Sequence, residues 1–299
     1  MRGSTSAPTA RVLDVVELLA RSAHAWPRFS DVVRELELTQ GTVHAILKTL
    51  CDRGWASRDP ITKTFSLGPA FAVVAARMDN VRPLAHAARA AAVRLSREVG
   101  YAGSVVERFG ESLVVTAFEG SPATQPAGIP GDRIPYTPPF GVAFAAWDSD
   151  EERRAWIRRG TGGNADRVRR LEHVLARTRE RGFDVDWTTP ALAQAVQVVG
   201  TLDSNAMPTP VRHILDQLLV EFTTIGFLSD DNPGRRKQPV VTIAAPVFDH
   251  RGHVALMLAV HPLSPLSARQ IQIIGEKLVE ETTAISEAQQ HPAVVDLGE

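Results

Sequence analysis

Residues 29–67 constrain the fold of this chain more than any other stretch, because they combine two short amphipathic helices, a tight turn and a hairpin in that order. We expect Ser30 to cap the first helix and Thr39 the second, since both side chains can accept a hydrogen bond from a first-turn N–H. The apolar residues of the second helix form one inward-facing stripe, which consists of Val43, Ile46, Leu47 and Leu50. This order of elements predicts a winged helix-turn-helix.

The outward face of the second helix is small, polar or cationic. Base edges lie deep in the major groove of DNA, where bulky apolar groups cannot form hydrogen bonds, so a recognition helix needs a face of this kind. We expect Gln40, Thr42 and His44 to read the base edges. The predicted DNA-contacting residues of this helix are Gln40, Gly41, Thr42, His44, Ala45 and Lys48.

A predicted hairpin follows this helix. Gly54 can end the helix, and two short strands flank a turn at residues 59–62. Arg58 and Lys63 stand beside the tip, where cations contact phosphates or the minor groove and position a protein without reading much sequence. The alternative is a small helical core with an ordinary hairpin and a solvated face.

Residues 11–19, 29–50 and 54–68 resemble the N-terminal winged helix-turn-helix of the IclR family of bacterial transcription regulators, and the motif GTVHAILKTLCDRGW is the most specific part. The resemblance implies that the region after the wing helps to pair two subunits. The sequence departs from the family pattern at Gln40, where a basic residue is usual, and at Ala45, where an arginine is usual.

The overall charge allows DNA binding only through a local surface. The 299 residues include 33 Lys plus Arg and 34 Asp plus Glu, for a net charge of -1. Residues 1–80 contain ten basic and eight acidic side chains, so we expect a dimer to be needed for sufficient phosphate contacts. The single cysteine, Cys51, excludes an intrachain disulfide and fits a reducing cytoplasm, and the apolar runs are too short to span a membrane.

The second half of the chain is predicted to be an α+β domain. Two helices are expected before it, one at about 10–22 with Thr9 as its cap and one at 83–99. The domain itself should contain two hairpins, at 104–118 and 240–260, and a closing helix at about 267–289. The expected organisation is a disordered tail at 1–8, a winged helix-turn-helix at 9–80, a linker helix at 81–100, an effector-binding domain at 101–290 and a tail at 291–299.

The α+β half also resembles the effector-binding domain of the IclR family, which has a GAF-like fold. The match rests on the segments ESLVVTAFEG, LEHVLARTRERGFDVD and VVTIAAPVFDHRGHV. It implies a small-molecule effector and a homo-oligomer. The chain has an extended insert at about 187–238, which is longer than the usual connection of the family.

A ligand site is expected beside a helix predicted at about 142–147. Backbone amides at a helix N-terminus attract an anion, so a carboxylate could lie near Phe140 and Gly141. Pro138 and Pro139 remove backbone donors, which favours instead a more apolar ligand, and Phe140 could simply fill the core. The expected effector is aromatic or carboxylic, and the positions that the family resemblance implies for its contacts are Thr137, Phe140, Gly141, Thr242 and Ala244.

The sequence lacks the motifs of several enzyme classes. It has neither a P-loop nor a nucleophile elbow, and His250 and His253 have no third metal ligand near them in sequence. We therefore expect a cytoplasmic DNA-binding transcription regulator, without catalytic residues, metal or cofactor, that binds a double-stranded operator as a dimer or tetramer. The alternatives are a sensor or enzyme built on the α+β domain, with the first segment used for oligomerisation, and a DNA-binding protein whose pocket has closed.

Overall fold

The computed structural model describes residues 6–21, 26–120, 130–161, 163–186 and 237–290. The chain divides into two compact units, Met1–Arg82 and Pro83–Glu299. Most of the predicted insert at 187–238 lies outside the described residues, and so does the predicted tail at 291–299.

The first unit is built from three helices, a short hairpin and a fourth helix. These elements are α1 (Ala7–Arg21), α2 (Phe29–Glu35), α3 (Gln40–Asp52), β1 (Ala56–Arg58), β2 (Phe65–Leu67) and α4 (Ala70–Val81). The predicted helix-turn-helix and wing are confirmed. Val43, Leu47 and Leu50 of α3 are buried against α1, α2 and the wing, as the apolar stripe predicted.

The helix starts differ from two of the predicted caps. Ser30 was expected to cap α2, but the helix begins at Phe29, and the carboxylate of Asp31 accepts a hydrogen bond from the N–H of Arg28 at 2.9 Å. A carboxylate accepts more strongly than a hydroxyl and interacts favourably with the helix dipole. The first helix begins at Ala7, within the predicted tail, so Thr9 lies inside α1 rather than capping it.

The cap and the end of α3 agree with the sequence. The hydroxyl of Thr39 accepts a hydrogen bond from the N–H of Thr42 at 3.3 Å. Gly54 has a φ of +73°, a conformation that glycine adopts without strain, and the next residue, Trp55, donates its N–H to the carbonyl of Leu50 at 2.8 Å. These contacts fix where α3 stops and how the chain enters the wing.

The second unit is a six-stranded antiparallel sheet with helices on both faces. Its elements are α5 (Pro83–Val99), β3 (Ala102–Phe109), β4 (Ser112–Glu119), β5 (Arg133–Pro135), α6 (Val142–Ala145), α7 (Asp150–Thr161), α8 (Ala165–Arg181), β6 (Asp184–Asp186), β7 (Gln238–Val240), β8 (Thr242–Phe248), β9 (Val254–His261), β10 (Ser264–Leu266) and α9 (Ala268–Gln290). The strand order of the main sheet is β5-β4-β3-β9-β8-β6, and β7 pairs separately with β10. Val240, which was predicted to begin the β8 strand, therefore lies in β7.

Helices α5 and α9 cover one face of the sheet. The stripe predicted for the closing helix is buried there and consists of Ile271, Ile274, Leu278 and Ile285. The segment predicted as a linker helix is packed in the same core, because Ala88, Ala92 and Leu95 of α5 are fully buried. A Cβ on Gly103 would lie 2.7 Å from the carbonyl oxygen of Ala92, so the backbones of β3 and α5 are in close contact at this point. Helix α5 is thus part of the second unit.

Helices α6, α7 and α8 cover the opposite face with a second core. Trp156, Leu171 and Phe144 are fully buried in this core, together with Val106 and Met257 from the sheet. Two of the predicted effector contacts, Thr242 and Ala244, belong to this face, because Pro246 on the same strand pairs with Met257 of this core. The fold therefore comprises a small winged helix-turn-helix unit and a larger unit whose sheet presents one face to α6, α7 and α8.

Candidate nucleic-acid interface and effector pocket

The exposed face of α3 has the composition predicted for a reading surface. Gln40, Gly41, His44, Ala45 and Lys48 are all exposed. Apart from its chain neighbours and the backbone of its own helix, nothing lies within 4 Å of the position where a Cβ on Gly41 would stand, so the surface at the start of the helix is open. Small residues at this end allow a helix to approach the floor of a DNA groove closely.

Thr42 differs from the other predicted readers. It is half-buried, and its hydroxyl lies 2.9 Å from the hydroxyl of Thr39 while its N–H donates to the same Thr39 oxygen. The structure therefore uses Thr42 in the helix cap. Its hydroxyl can contact a base edge either while it keeps the bond to Thr39 or after it exchanges that bond for one to the base.

The cation of α3 is paired within the helix. The ammonium of Lys48 lies 2.5 Å from the carboxylate of Asp52, and the two side chains are 64% and 60% exposed. This hydrogen bond raises the pKa of Lys48 above its ordinary value. Because the pair is exposed, a phosphate can replace Asp52 as the partner of Lys48 at little cost.

The wing is a short antiparallel hairpin reinforced from the side. Arg58 pairs with Phe65 across the hairpin, and its guanidinium lies 5.7 Å from the centre of the Phe65 ring. The N–H of Phe65 donates to the carbonyl of Pro27 at 2.8 Å, and Arg28 bridges to Thr64, so residues 27–28 extend the sheet. Arg58 is therefore held on a braced strand, exposed beside the tip.

The wing turn is fixed by its own polar groups. The carboxylate oxygen Oδ1 of Asp59 accepts hydrogen bonds from the N–H groups of Ile61 at 2.7 Å and Thr62 at 2.8 Å, and these bonds lower the pKa of Asp59. Lys63 has a φ of +60°, and its ammonium donates to the carbonyl of Pro60. Both predicted wing cations are exposed, but the Lys63 ammonium is folded back onto the turn.

The five predicted effector contacts fall into two groups. Thr137, Phe140 and Gly141 belong to the loop before α6, whereas Thr242 and Ala244 lie on β8. The loop contacts the β3–β4 hairpin end of the sheet, because a Cβ on Gly141 would meet Tyr136 and Leu113. Thr242 begins β8 at the other end of the sheet and pairs with Asp186.

The loop before α6 uses its own backbone groups. The N–H of Phe140 donates to the carbonyl of Thr137 at 2.8 Å, and the carbonyl of Phe140 accepts from the indole N–H of Trp156 at 3.0 Å. Helix α6 is a single turn, Val142–Ala145, shorter than the helix predicted at 142–147. A single turn has only a small dipole, so the basis for a carboxylate site at Phe140 and Gly141 is weaker than the sequence indicated.

A buried polar network holds this loop. The hydroxyl of Tyr136 donates to the Asp148 carboxylate at 2.5 Å, and Arg108 forms an ion pair with the same carboxylate at 2.8 Å. The Arg108 guanidinium also lies 4.2 Å from the centre of the Tyr136 ring. Burial raises the pKa of both Tyr136 and Asp148. Because each polar group is paired, the network is structural, and it positions the backbone around Gly141.

Thr242 and Ala244 share their sheet face with a polar cluster that the sequence analysis missed. The hydroxyl of Thr242 lies 3.2 Å from Nδ1 of His261, and Nε2 of His261 lies 2.8 Å from the hydroxyl of Ser104. The Phe118 ring stacks against the His261 ring at 5.7 Å. Burial lowers the pKa of His261 to about 4, so the imidazole is neutral near pH 7. We call Ser104, Phe118, Thr242 and His261 the sheet-face cluster.

Two carboxylates lie opposite the β8 residues. Asp184 pairs with Ala244, and Asp186 pairs with Thr242, so both belong to the same face. The Oδ1 atom of Asp184 is buried without a hydrogen-bond partner, although Arg181 lies 3.8 Å from it, and burial raises the pKa of Asp184 to about 6. The sequence spacing alone did not indicate that these carboxylates neighbour the predicted pocket residues.

The described residues contain no group of three or more His, Cys, Asp or Glu side chains placed to hold a metal ion. Within the same part of the chain, every helix is too short or too polar to cross a membrane. The polar groups that the structure brings together are hydroxyls, one neutral imidazole and buried carboxylates. These groups can bind a small molecule by hydrogen bonds.

The described structure thus combines a winged helix-turn-helix unit with an α+β unit that carries a polar cluster on its sheet. Comparison with known proteins identifies the type of the first unit. Residues 8–60 match the IclR helix-turn-helix domain. This match identifies the first unit as an IclR-type helix-turn-helix domain. No curated protein sequence matches the chain.

Solved structures match the fold over nearly the whole chain. An IclR transcriptional regulator from Alicyclobacillus acidocaldarius has 18% identity and a TM-score of 0.65, covering 96% of this chain and all (100%) of that chain. An IclR homolog from Microbacterium hydrocarbonoxydans, complexed with 4-hydroxybenzoate, has 18% identity and a TM-score of 0.63 over 95% of this chain and 99% of that one. Pseudomonas aeruginosa HmgR has 20% identity and a TM-score of 0.61 over 93% and 97%.

Proposed function

We propose that the protein binds a palindromic operator as a dimer, or as a dimer of dimers, and that a small molecule controls this binding. The observation that carries the proposal is the exposed, small and polar face of α3, framed by a braced wing, within the segment that matches the IclR helix-turn-helix domain. The N-terminal half of α3 enters the major groove. Gln40, Thr42 and His44 read base edges there, while Gly41 and Ala45 allow the backbone to come close.

The cations contribute affinity rather than sequence preference. Lys48 contacts a phosphate after exchanging Asp52 for it, and Arg58 contacts the backbone beside the wing. Lys63 makes a similar contact once its ammonium leaves the carbonyl of Pro60. One copy supplies few phosphate contacts, so two copies are needed for tight binding at physiological salt.

The apolar face of α4 supports a dimer. Val74, Met78 and Val81 follow each other at helical spacing, and their side chains are 44%, 43% and 77% exposed. The start of α4 is fixed to the DNA-binding unit, since the ring of Phe71 lies 4.9 Å from the Trp55 ring at a right angle. Pairing of two such helices removes an exposed apolar stripe from water and joins two reading units at a fixed spacing.

The sheet-face cluster supports a small effector with a ring and a hydrogen-bonding group. Thr242, Ser104 and neutral His261 provide hydroxyl and imidazole groups that donate or accept, and Phe118 provides an aromatic surface. Ala244 adds a small apolar floor beside them, and Thr137, Phe140 and Gly141 remain proposed contacts from the loop. The IclR homolog from Microbacterium hydrocarbonoxydans is complexed with 4-hydroxybenzoate, a compound of this chemistry. Such an effector acts by binding the DNA-competent and incompetent arrangements unequally.

The DNA-binding proposal is tested by the affinity of the purified protein for a duplex recovered from a random pool and for a scrambled duplex of equal length. Specific binding is typically at least about 10³-fold tighter than non-specific binding at physiological salt. Equal affinities for the two duplexes at a stated salt concentration would contradict operator recognition.

The effector proposal is tested with 4-hydroxybenzoate as the first probe, by calorimetric titration of the full-length protein. Binding should weaken in Phe118→Ala and in Thr242→Val and remain unchanged in Thr116→Val, a control on the same sheet. Equal binding by all four proteins would exclude the sheet-face cluster as the site of this ligand. If the wild type gives no heat of binding, 4-hydroxybenzoate is excluded as its effector. Other hydroxylated or carboxylic aromatic compounds then test the proposed class of effector.

A further inference from the structure

The tip of the wing carries an apolar side chain in an unusual position. Ile61 is 87% exposed, more than any other large hydrophobic side chain in the described part of the chain. It lies between the two wing cations, in the sequence Arg58-Asp59-Pro60-Ile61-Thr62-Lys63. Turns usually place polar residues at such a position, so an isoleucine there has no evident folding role.

The turn presents this side chain rigidly. Proline fixes φ at the preceding residue, and the Asp59 carboxylate accepts hydrogen bonds from the N–H groups of Ile61 and Thr62. The hydroxyls of Thr62 and Thr64 lie 2.8 Å apart and brace the following strand. A preorganised tip loses little conformational entropy when it inserts into a partner.

The surroundings of the tip fit a partner with anionic walls and an apolar interior. Arg58 and Lys63 are exposed on either side, and Oδ1 of Asp59 is directed at the backbone of the turn. The minor groove of duplex DNA has phosphates along both walls and stacked bases at its floor. Isoleucine and proline are among the residues that insert between base pairs from this groove.

We propose that Ile61 inserts as a wedge into the minor groove beside the half-site that α3 contacts, and that it selects a deformable base step there. The inference rests on the proposed operator binding. Pyrimidine–purine steps such as TA unstack most easily, so the protein should prefer them at this position although no side chain reads their edges. Ile61 is thus a specificity-determining residue that acts through the shape of the DNA.

The test uses the full-length protein and two forms of a selected duplex, which differ only in carrying a TA or a GC step under the wing. The wild type should prefer the TA form, and 2-aminopurine placed at that step should brighten on binding. Ile61→Ala removes three carbon groups from the contact that the wedge would bury in the complex, so its affinity for the TA form should fall by about 10- to 60-fold. The dependence on salt should not change, because no charge is removed.

Two further variants sharpen the result. Leu13→Ala shortens another exposed aliphatic side chain, 56% exposed on α1, and should bind like the wild type. Ile61→Lys should bind all duplexes more tightly at low salt and still lose the preference for the TA step.

The outcomes separate this inference from the proposed function. If Ile61→Ala keeps both the step preference and the 2-aminopurine signal, the wedge is overturned, while selective binding by the wild type leaves operator recognition intact. If the wild type does not distinguish the selected duplex from a scrambled one, both proposals fall together.

Discussion

The ammonium of Lys48 lies 2.5 Å from the carboxylate of Asp52, one turn further along the helix that is proposed to enter the major groove. The free protein thus holds the one cation of this helix against an acid of the same helix. DNA binding must replace that carboxylate by a phosphate. The acid therefore weakens the contact that Lys48 can make, and removing it should strengthen DNA binding.

We predict that Asp52→Asn binds both selected and random duplexes about two- to fivefold more tightly, since an exposed ion pair of this kind is weak. The measurement is fluorescence anisotropy at several salt concentrations. Asp150→Asn is the matched control, because Asp150 forms an exposed ion pair with Arg153 in the second unit and the substitution changes the net charge equally. An equal gain from the control would show that overall charge is responsible.

Reading and positioning residues should respond differently to truncation. His44→Ala should weaken binding to the selected duplex by about 1–3 kcal/mol and leave random DNA almost unaffected, because a base contact is lost. Arg58→Ala and Lys63→Ala should weaken both duplexes about equally and reduce the slope of the salt dependence by about one unit each. Equal losses on selected and random DNA from all three variants would exclude His44 as a reader.

The apolar stripe of α4 should be needed for self-association. Val74→Lys places a charge in the proposed helix pair, so it should shift the protein toward a monomer and weaken operator binding while leaving the helix content unchanged. Light scattering on a size-exclusion column measures the mass. Ala76→Lys is the control, since it adds the same charge to the opposite side of α4. A Val74→Lys protein with unchanged mass would place the dimer contact elsewhere.

The buried carboxyl of Asp184 should make stability depend on pH. Its pKa is raised to about 6, above the ordinary 3.8, because burial disfavours the charged form. The folded protein therefore retains a proton that the unfolded chain has released between these values. This contribution favours folding at low pH and is lost as the pH rises through 6.

Replacement of Asp184 by asparagine mimics the protonated carboxyl. Asp184→Asn should raise the free energy of unfolding by about 2 kcal/mol at about pH 8, and the gain should shrink as the pH falls to about 4. Urea denaturation at the two pH values measures it. Asp166→Asn, an exposed acid on α8 whose side chain is 72% accessible, should show no such gain. If Asp184→Asn instead lowered the free energy of unfolding at the higher pH, the folded protein would stabilise the charged Asp184 carboxylate.

Local patterns predicted the first unit well. The stripe Val43, Leu47 and Leu50 and the cap at Thr39 depend on residues within a few positions of each other, so helical periodicity was sufficient to place them. The cap of α2 was predicted two residues late, at Ser30 instead of Arg28, because the sequence does not show that the Asp31 side chain reaches the N–H of Arg28. Spacing also indicated the outward face of α3, although not that Asp52 pairs with Lys48.

The sheet-face cluster, where the effector is proposed to bind, could be predicted only in part, because it depends on contacts across the sheet. Thr242 and Ala244 were predicted from the family resemblance, but Ser104 and His261 are far from each other in sequence and meet only through the register of β3 and β9. The packing of α5 depends on the close approach of Ala92 and Gly103, which helix propensity alone does not reveal. Patterns along the sequence do not show the register between strands that are far apart in the chain. They also do not show where a helix and a strand come into close backbone contact.

The most direct test of operator recognition is selection of bound sequences from a random duplex pool by the purified full-length protein, at a stated salt concentration, with His44→Ala selected in parallel. The account predicts that the wild type enriches one palindromic site whose half-sites are separated by about one helical turn, or a multiple of it. The variant should enrich a site that is degenerate at the positions under α3. Failure of folded wild-type protein to enrich any sequence would contradict the claim that α3 reads DNA.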